Sequence, residues 1–331
     1  MRGGRAGPIV SILILAGFLL VHGAVGDPAR ADQPAPDGWE QVMADGAPIT
    51  ITVEHVEILG GELAGLALRG AWTLENDHFS YGGFSGLLVS GEQFIALSDK
   101  GRWLGASMIL EGDDLRLVDA RRANMRDGKG RRYPKNTGDS EDLTRLGSRL
   151  VVSFERDHRI MFLGDNGRMG GTITSPEFEQ FSSNTGLEAL ATLPDGRLIT
   201  FSEGADGDGV PMFLIDQSGV VTEFRLPSVG AHSVTGADVG PDGRLYLILR
   251  DFSLFYGLSI RVMRYSLGPD FLPLPESAET LAAFEADSGI DNMEGISLDR
   301  GPGGDIRLWL ISDNNFRSSQ RTLLMQFDVL P

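Results

Sequence analysis

The chain has 331 residues, a formal net charge of −17 and no cysteine. The charge sets it against nucleic acid and anionic membrane surfaces, and the lack of Cys excludes disulfides, thiolate metal sites and thiol nucleophiles together. With 44 Gly, 16 Pro and few long helical patterns, the composition describes many short strands joined by tight turns, an all-β protein.

In chain order the first feature is Arg2 and Arg5 ahead of an apolar run from Ile9 to Val21, which is short for a spanning helix. Residues 1–31 read as a signal peptide, with small-residue cleavage sites after Gly26 and after Ala31; an uncleaved anchor is the alternative. The expected destination is the periplasm or the medium, with no stable membrane insertion once the leader is removed. Residues 32–48 read as a flexible linker and 49–331 as the folded domain.

From there the chain repeats itself. Leu187-Glu188-Ala189-Leu190, the turn Pro194-Asp195-Gly196 and Phe201-Ser202-Glu203 align without a gap on Thr235, Pro241-Asp242-Gly243 and Arg250. The same frame fits Ser85 to Asp99, Glu141 to Glu155 and, with a longer turn at Gly301 to Gly304, Glu294 to Asp313. The five copies begin 56, 47, 47 and 59 residues apart, close to the length of a propeller blade. Within one copy, Leu187 to Leu193 and Arg197 to Phe201 form a hairpin, and Pro211 to Ile215 and Val220 to Leu226 supply two more strands. The last copy lacks a fourth strand, which must come from Ile49 to Leu59 or Leu68 to Leu74 and close the ring. Five blades are counted, with room for a divergent sixth in Ile49 to Glu75.

The hairpin brings residues 14 or 15 apart to one end, so Glu141 meets Glu155 and Glu188 meets Glu203, and Glu294 meets Asp313 across its longer turn. Ser85 with Asp99 and Thr235 with Arg250 fill the same slots. Since the first strand of a blade lines the central channel, Asp99, Glu141, Glu155, Glu188, Glu203, Glu294 and Asp313 should converge on one mouth. Oxygen ligands so gathered suit a hard cation such as Ca²⁺, and like charges so crowded need some cation to offset them. The plainer alternative is that strand-end carboxylates accept hydrogen bonds from loop amides.

Several motifs together resemble the bacterial "esterase-like activity of phytase" family: Phe84-Ser85-Gly86-Leu87, Ser98-Asp99-Lys100-Gly101, Ser140-Glu141-Asp142-Leu143, Asn184-Thr185-Gly186-Leu187-Glu188, Asn292-Met293-Glu294-Gly295 and Asp313-Asn314-Asn315-Phe316 with Gln320-Arg321-Thr322-Leu323. The resemblance covers Ile49 to the C-terminus and implies an exported, propeller-like hydrolase. It assigns no catalytic residue.

Basic residues follow the acids in sequence. Lys100, Arg102, Arg156 and Arg317 are candidates for binding a phosphate or an ester carboxylate, and Arg250 and Arg321 for acting in catalysis; in the alternative, each pairs with its neighbouring acid. Of the histidines, His232, three residues before Thr235, is the candidate general base, whereas His55, His78 and His158 read as structural. Gly83-Phe84-Ser85-Gly86 lacks the spacing of a nucleophile elbow, and no zincin motif, P-loop or dinucleotide fingerprint occurs. Two functions fit: a metal-assisted hydrolase of phosphate or carboxylic esters acting on a small molecule, or a non-catalytic propeller that binds a ligand or protein at the same mouth.

Overall fold

The computed structural model describes residue 40, residue 43 and residues 46–331, except 79–80, 135–136, 183–184 and 205–206. The expected signal peptide and most of the expected linker lie outside the described residues. No helix among the described residues is long and apolar enough to cross a membrane; the only helical turns with full bounds are two short 3-10 turns, Pro176–Phe178 and Pro275–Ser277.

Five antiparallel sheets form a five-bladed β-propeller. Each begins with an inner strand: Phe84–Ser90, Ser140–Leu146, Leu187–Thr192, Ser233–Val239 and Met293–Arg300. Blade three shows the plan, with Leu187–Thr192 beside Leu198–Ser202, then Val210–Ile215, then Val221–Leu226. The strands alternate or run apolar because both faces of a blade pack on neighbours. Leu187, Ile199 and Leu245 are fully buried and Ile296 nearly so.

The last blade is closed from the other end of the chain. Leu66–Glu75 pairs with Leu323–Val329, so the ring is sealed by one N-terminal strand against three C-terminal ones. The stretch before it does not build a sixth blade. Thr52–His55 adds a fifth strand to blade five, Glu62–Leu63 one to blade four, and Ala47–Pro48, at the end of the expected linker, one to blade one. These additions cover outer strands that would otherwise present unpaired backbone.

The seams between blades carry polar ties. Asp142, fully buried, accepts the amides of Leu143 (2.7 Å) and of Leu190 in the next blade (2.9 Å). Asp238 does the same for Val239 (2.8 Å) and Leu298 (2.7 Å), Ser297 Oγ accepts from Val89, and Ser85 Oγ donates to the carbonyl of Ser140. Burial pushes Asp142 well above the usual carboxylate range while these amides pull it back.

Glycines on the inner strands let the neighbouring blade approach closely. A Cβ on Gly236 would overlap the carbonyl oxygen of Glu294 on the neighbouring inner strand. We therefore expect Gly236→Ala to lower stability by about 3 kcal/mol, measured by urea unfolding; equal stability would mean that the inner strands are free to part.

Candidate functional site

Every inner strand carries one β-bulge, and it falls at the same place. Pairing skips Ser85 between Phe84 and Gly86, Glu188 between Leu187 and Ala189, Thr235 between Val234 and Gly236, and Glu294 between Met293 and Gly295. In blade two the register shifts over Glu141 and Asp142. A bulge leaves one residue unpaired and re-aims its side chain, so the first slot of each copy is a residue released from the ladder. The second slot is fixed by a repeated backbone bond: the amides of Asp99, Glu155, Glu203 and Asp313 donate to the carbonyls of Gly83, Asp139, Gly186 and Asn292. Ser233 pairs with Arg250 at the equivalent place in blade four.

Four of the expected acids come together, joined by Asp139. One oxygen each from Glu155, Glu188 and Glu203 lies within 4.8 Å of the others, and so does one each from Asp139, Glu141 and Glu155. Glu155 belongs to both trios. On the far side, burial and Asp313 push Glu294 up to about 8, with Arg250 opposing, while burial and Asp99 push Asp313 up to about 7. Glu155 also reaches about 7, through burial, Asp139 and Glu203. Glu141 and Glu188 are raised well above the usual range by burial and by each other's neighbours among the acids. The physical cause is common to all: carboxylates out of bulk water facing carboxylates.

Individual bonds hold the acids in place. Asn292 Nδ2 donates to Glu294 Oε1 at 2.8 Å, the Asn315 amide donates to Asp313 Oδ1 at 2.6 Å, and Lys100 Nζ lies 3.3 Å from Asp99 Oδ2. The loop-amide alternative thus holds for Asp313, while Glu141 and Glu188 stand in the trios.

The cations divide by place. Arg250 is the cation of the ring itself, 3.5 Å from Glu203 Oε1, and its buried Nε has no partner. Arg156 pairs with Asp139. Lys100 sits over the Phe316 ring at 3.3 Å, with Arg102 6.0 Å from the same ring. Arg321 turns away, donating to Gly289 O at 2.6 Å beside Asp291, and with Arg317 lines a cleft behind Phe316. His232 uses both ring nitrogens, on Val229 O and Ser259 Oγ, each at 3.1 Å.

Sequence reasoning missed Asp139, which precedes its copy by two residues and enters a trio with Glu141 and Glu155. It also missed the rim strain. Arg156, Asn315 and Phe316 all hold left-handed backbone, at φ 62°, 49° and 52°. For Arg and Phe this conformation is costly and persists where the surroundings impose it, often at ligand sites.

A family model described as "Phytase-like: Esterase-like activity of phytase" matches residues 80–316. No curated protein matches the chain. Among solved structures, the glutaminyl cyclase of Myxococcus xanthus is similar at 12% identity and a TM-score of 0.46, over 86% of this chain and 100% of that one. A protein of unknown function from Dyadobacter fermentans gives 11% and 0.46, over 84% and 99%. A gluconolactonase from Xanthomonas campestris gives 11% and 0.41, over 90% and 99%.

Proposed function

Since the chain belongs to the Phytase-like, esterase-like activity of phytase family, we propose that its carboxylate-lined mouth hydrolyses a phosphate or carboxylic ester with the help of one divalent cation, outside the cytoplasm. The observation that carries this reading is the pair of acid trios sharing Glu155. Seven carboxylates, Asp99, Glu141, Glu155, Glu188, Glu203, Glu294 and Asp313, occupy seven of ten ring slots in which Arg250 is the single base, and a bound metal cation or protons would relieve the repulsion that Arg250 only partly offsets.

The donor set fits a hard ion. The trios offer oxygen alone, with neither imidazole nor thiolate, and carboxylates from different strands can adopt the loose geometry that Ca²⁺ accepts. Glu155, Glu188 and Glu203 would hold it, with Asp139 and Glu141 as the adjoining set. Such an ion supplies Lewis acidity to the ester oxygen and neutralises developing charge.

The remaining steps belong to side chains of the chain. Arg250 presents an unpartnered Nε beside Glu203 and binds the anionic oxygen of a phosphate or the developing oxyanion of a carboxylic ester. Water adds to the phosphorus or acyl carbon and passes one proton to a carboxylate of the trios, while Glu294, whose Oε1 is taken by Asn292, keeps Oε2 for the proton that burial and Asp313 favour and gives it to the departing alcohol oxygen as the ester bond breaks. Lys100, beside Asp99, adds positive charge at the opposite rim.

The test is hydrolysis of para-nitrophenyl acetate and para-nitrophenyl phosphate, with calcium and with chelator. Turnover should depend on the cation, and Arg250→Met should reduce it by about a hundredfold. Tight ligand binding at the mouth with no turnover under any cation would replace the enzyme by a binding module.

A further inference from the structure

Blade four departs from the others on the side of the ring where the acids lie. In blades one, two, three and five the second strand ends one residue before its ring slot, at Ser98, Phe154, Ser202 and Ser312. In blade four it runs past Arg250 to Ser253, and the hairpin continues with Asp251 paired to Ser259, Phe252 to Leu258 and Ser253 to Gly257. At about 3.3 Å per residue, these added pairs carry the tip about 10 Å beyond Arg250. The tip is ordered by its own bonds. Ser253 Oγ accepts the amides of Phe255 (3.2 Å) and Tyr256 (3.4 Å), and Gly257 takes the left-handed turn at φ 76°. Polar groups brace the base: Arg261 donates to Glu285 Oε1 at 2.5 Å and to Ser259 Oγ at 2.9 Å, and a Cβ on Gly257 would overlap Ala286.

That tip is apolar where it meets water. Eight large apolar side chains stand exposed among the described residues, and four of them are Phe252, Leu254, Phe255 and Tyr256. The last three are 86–92% exposed, and no charged residue occurs from Phe252 to Leu258. So concentrated an apolar patch marks an interaction surface. Three observations select its occupant. The four side chains offer roughly 600 Å², short of the roughly 800 Å² per partner in a stable protein interface. The height of the tip, about 10 Å, matches the depth of about 5–10 Å to which apolar side chains enter a lipid interface. The uncharged tip also belongs to a chain of net charge −17, which an anionic surface repels and a neutral one does not.

We propose that this hairpin docks the protein reversibly on a lipid surface of zwitterionic headgroups, with Leu254 and Phe255 entering the acyl boundary and the Tyr256 hydroxyl held at the headgroups. Asp251, Arg261 and Glu285, at the base of the hairpin, stay in water. Docking of this kind turns the acid mouth toward the lipid, because the tip stands on the mouth side of blade four. The inference goes beyond the hydrolase reading: a mouth that only bound its ligand would be brought to the same surface.

Phe255→Trp in the full chain supplies a probe at the tip itself, read by quenching with vesicles of brominated phosphatidylcholine and taken as the difference from the wild type, whose Trp72, Trp103 and Trp309 are buried. The probe should be quenched and blue-shifted as vesicles are added. Adding Leu254→Ser and Tyr256→Ser to the same chain should weaken the vesicle affinity at least about tenfold, with the melting temperature unchanged because both residues are exposed. At low salt, replacing part of the lipid by brominated phosphatidylglycerol should weaken binding, and added salt should restore it. No quenching beyond the wild type, equal affinity after those two substitutions, or tighter binding to the anionic vesicles would overturn the inference. So would a concentration-dependent dimer, seen by sedimentation without lipid and abolished by the same two substitutions, because a second copy would then cover the tip.

Discussion

Saturating calcium should raise the melting temperature of the wild-type protein by about 5–10 °C over the chelator-treated sample. A ligand at about a hundred times its Kd stabilises the folded state by about 2.7 kcal/mol, and each kcal/mol moves a domain of this size by about 2–4 °C. The variants give the result its meaning. Glu188→Gln removes an oxygen shared by the central trio and should abolish most of the calcium response. In chelator the same variant should melt above the wild type, because a neutral amide ends the repulsion that Glu203, Glu294 and Glu155 exert on this position. A carboxylate that merely held a loop would do the reverse, lowering stability with and without calcium. Glu294→Gln should keep more of the calcium response, since Glu294 stands outside both trios, yet lose turnover. A melting temperature indifferent to calcium, magnesium, manganese and chelator would end the cation reading.

The second large effect is an inverted pH dependence. Without divalent cations, stability should rise as the pH falls from about 8 to about 5, opposite to the usual acid behaviour of proteins whose acids are ion-paired. The sign follows from three groups whose folded pKa is raised: Glu294 from 4.5 to about 8, Asp313 from 3.8 to about 7 and Glu155 from 4.5 to about 7. Between the unfolded and folded values, the folded protein holds protons that the unfolded chain has released, so stability falls as pH rises through that window. Above about 8 the whole penalty is present; below about 4 it is gone. Asp127, Asp216 and Glu285 are shifted the other way by hydrogen bonds, but they lie at the surface and act only at the acid end. Calcium should flatten the profile, because a carboxylate that ligates a cation is already ionised. Melting curves between pH 5 and 8, in chelator and in calcium, measure this directly, and a chelator profile that is flat or rises toward pH 8 would contradict it.

Both effects concern a site whose parts were legible before its geometry was. The 14- and 15-residue spacings of Glu141 with Glu155 and Glu188 with Glu203 determined that each pair shares a strand end, because a hairpin with a fixed turn is local geometry with period two. The five copies and their Pro-Asp-Gly or equivalent turns determined the blade in the same way. The choice among closing strands was beyond the sequence. Leu66–Glu75 completes blade five, and Thr52–His55 lies outside it instead of beginning a sixth blade, a matter of which partner the last C-terminal strand finds across the ring.

Tertiary structure alone also decided which acids touch. The sequence by itself established seven carboxylates at equivalent slots, whereas the trios depend on the spacing of neighbouring blades, which glycines such as Gly236 permit and seam bonds such as Asp142 to Leu190 maintain. Asp139 entered the site only because Glu155 stands between its own blade's acids and those of blade three. The same holds for the cations: Arg250 and Arg321 both follow an acid or occupy its slot in sequence, but one remains in the ring and the other is drawn to Gly289 and Asp291. Along a strand the backbone repeat fixes where a side chain goes; between blades the outcome depends on how five sheets pack, and no single segment carries that information.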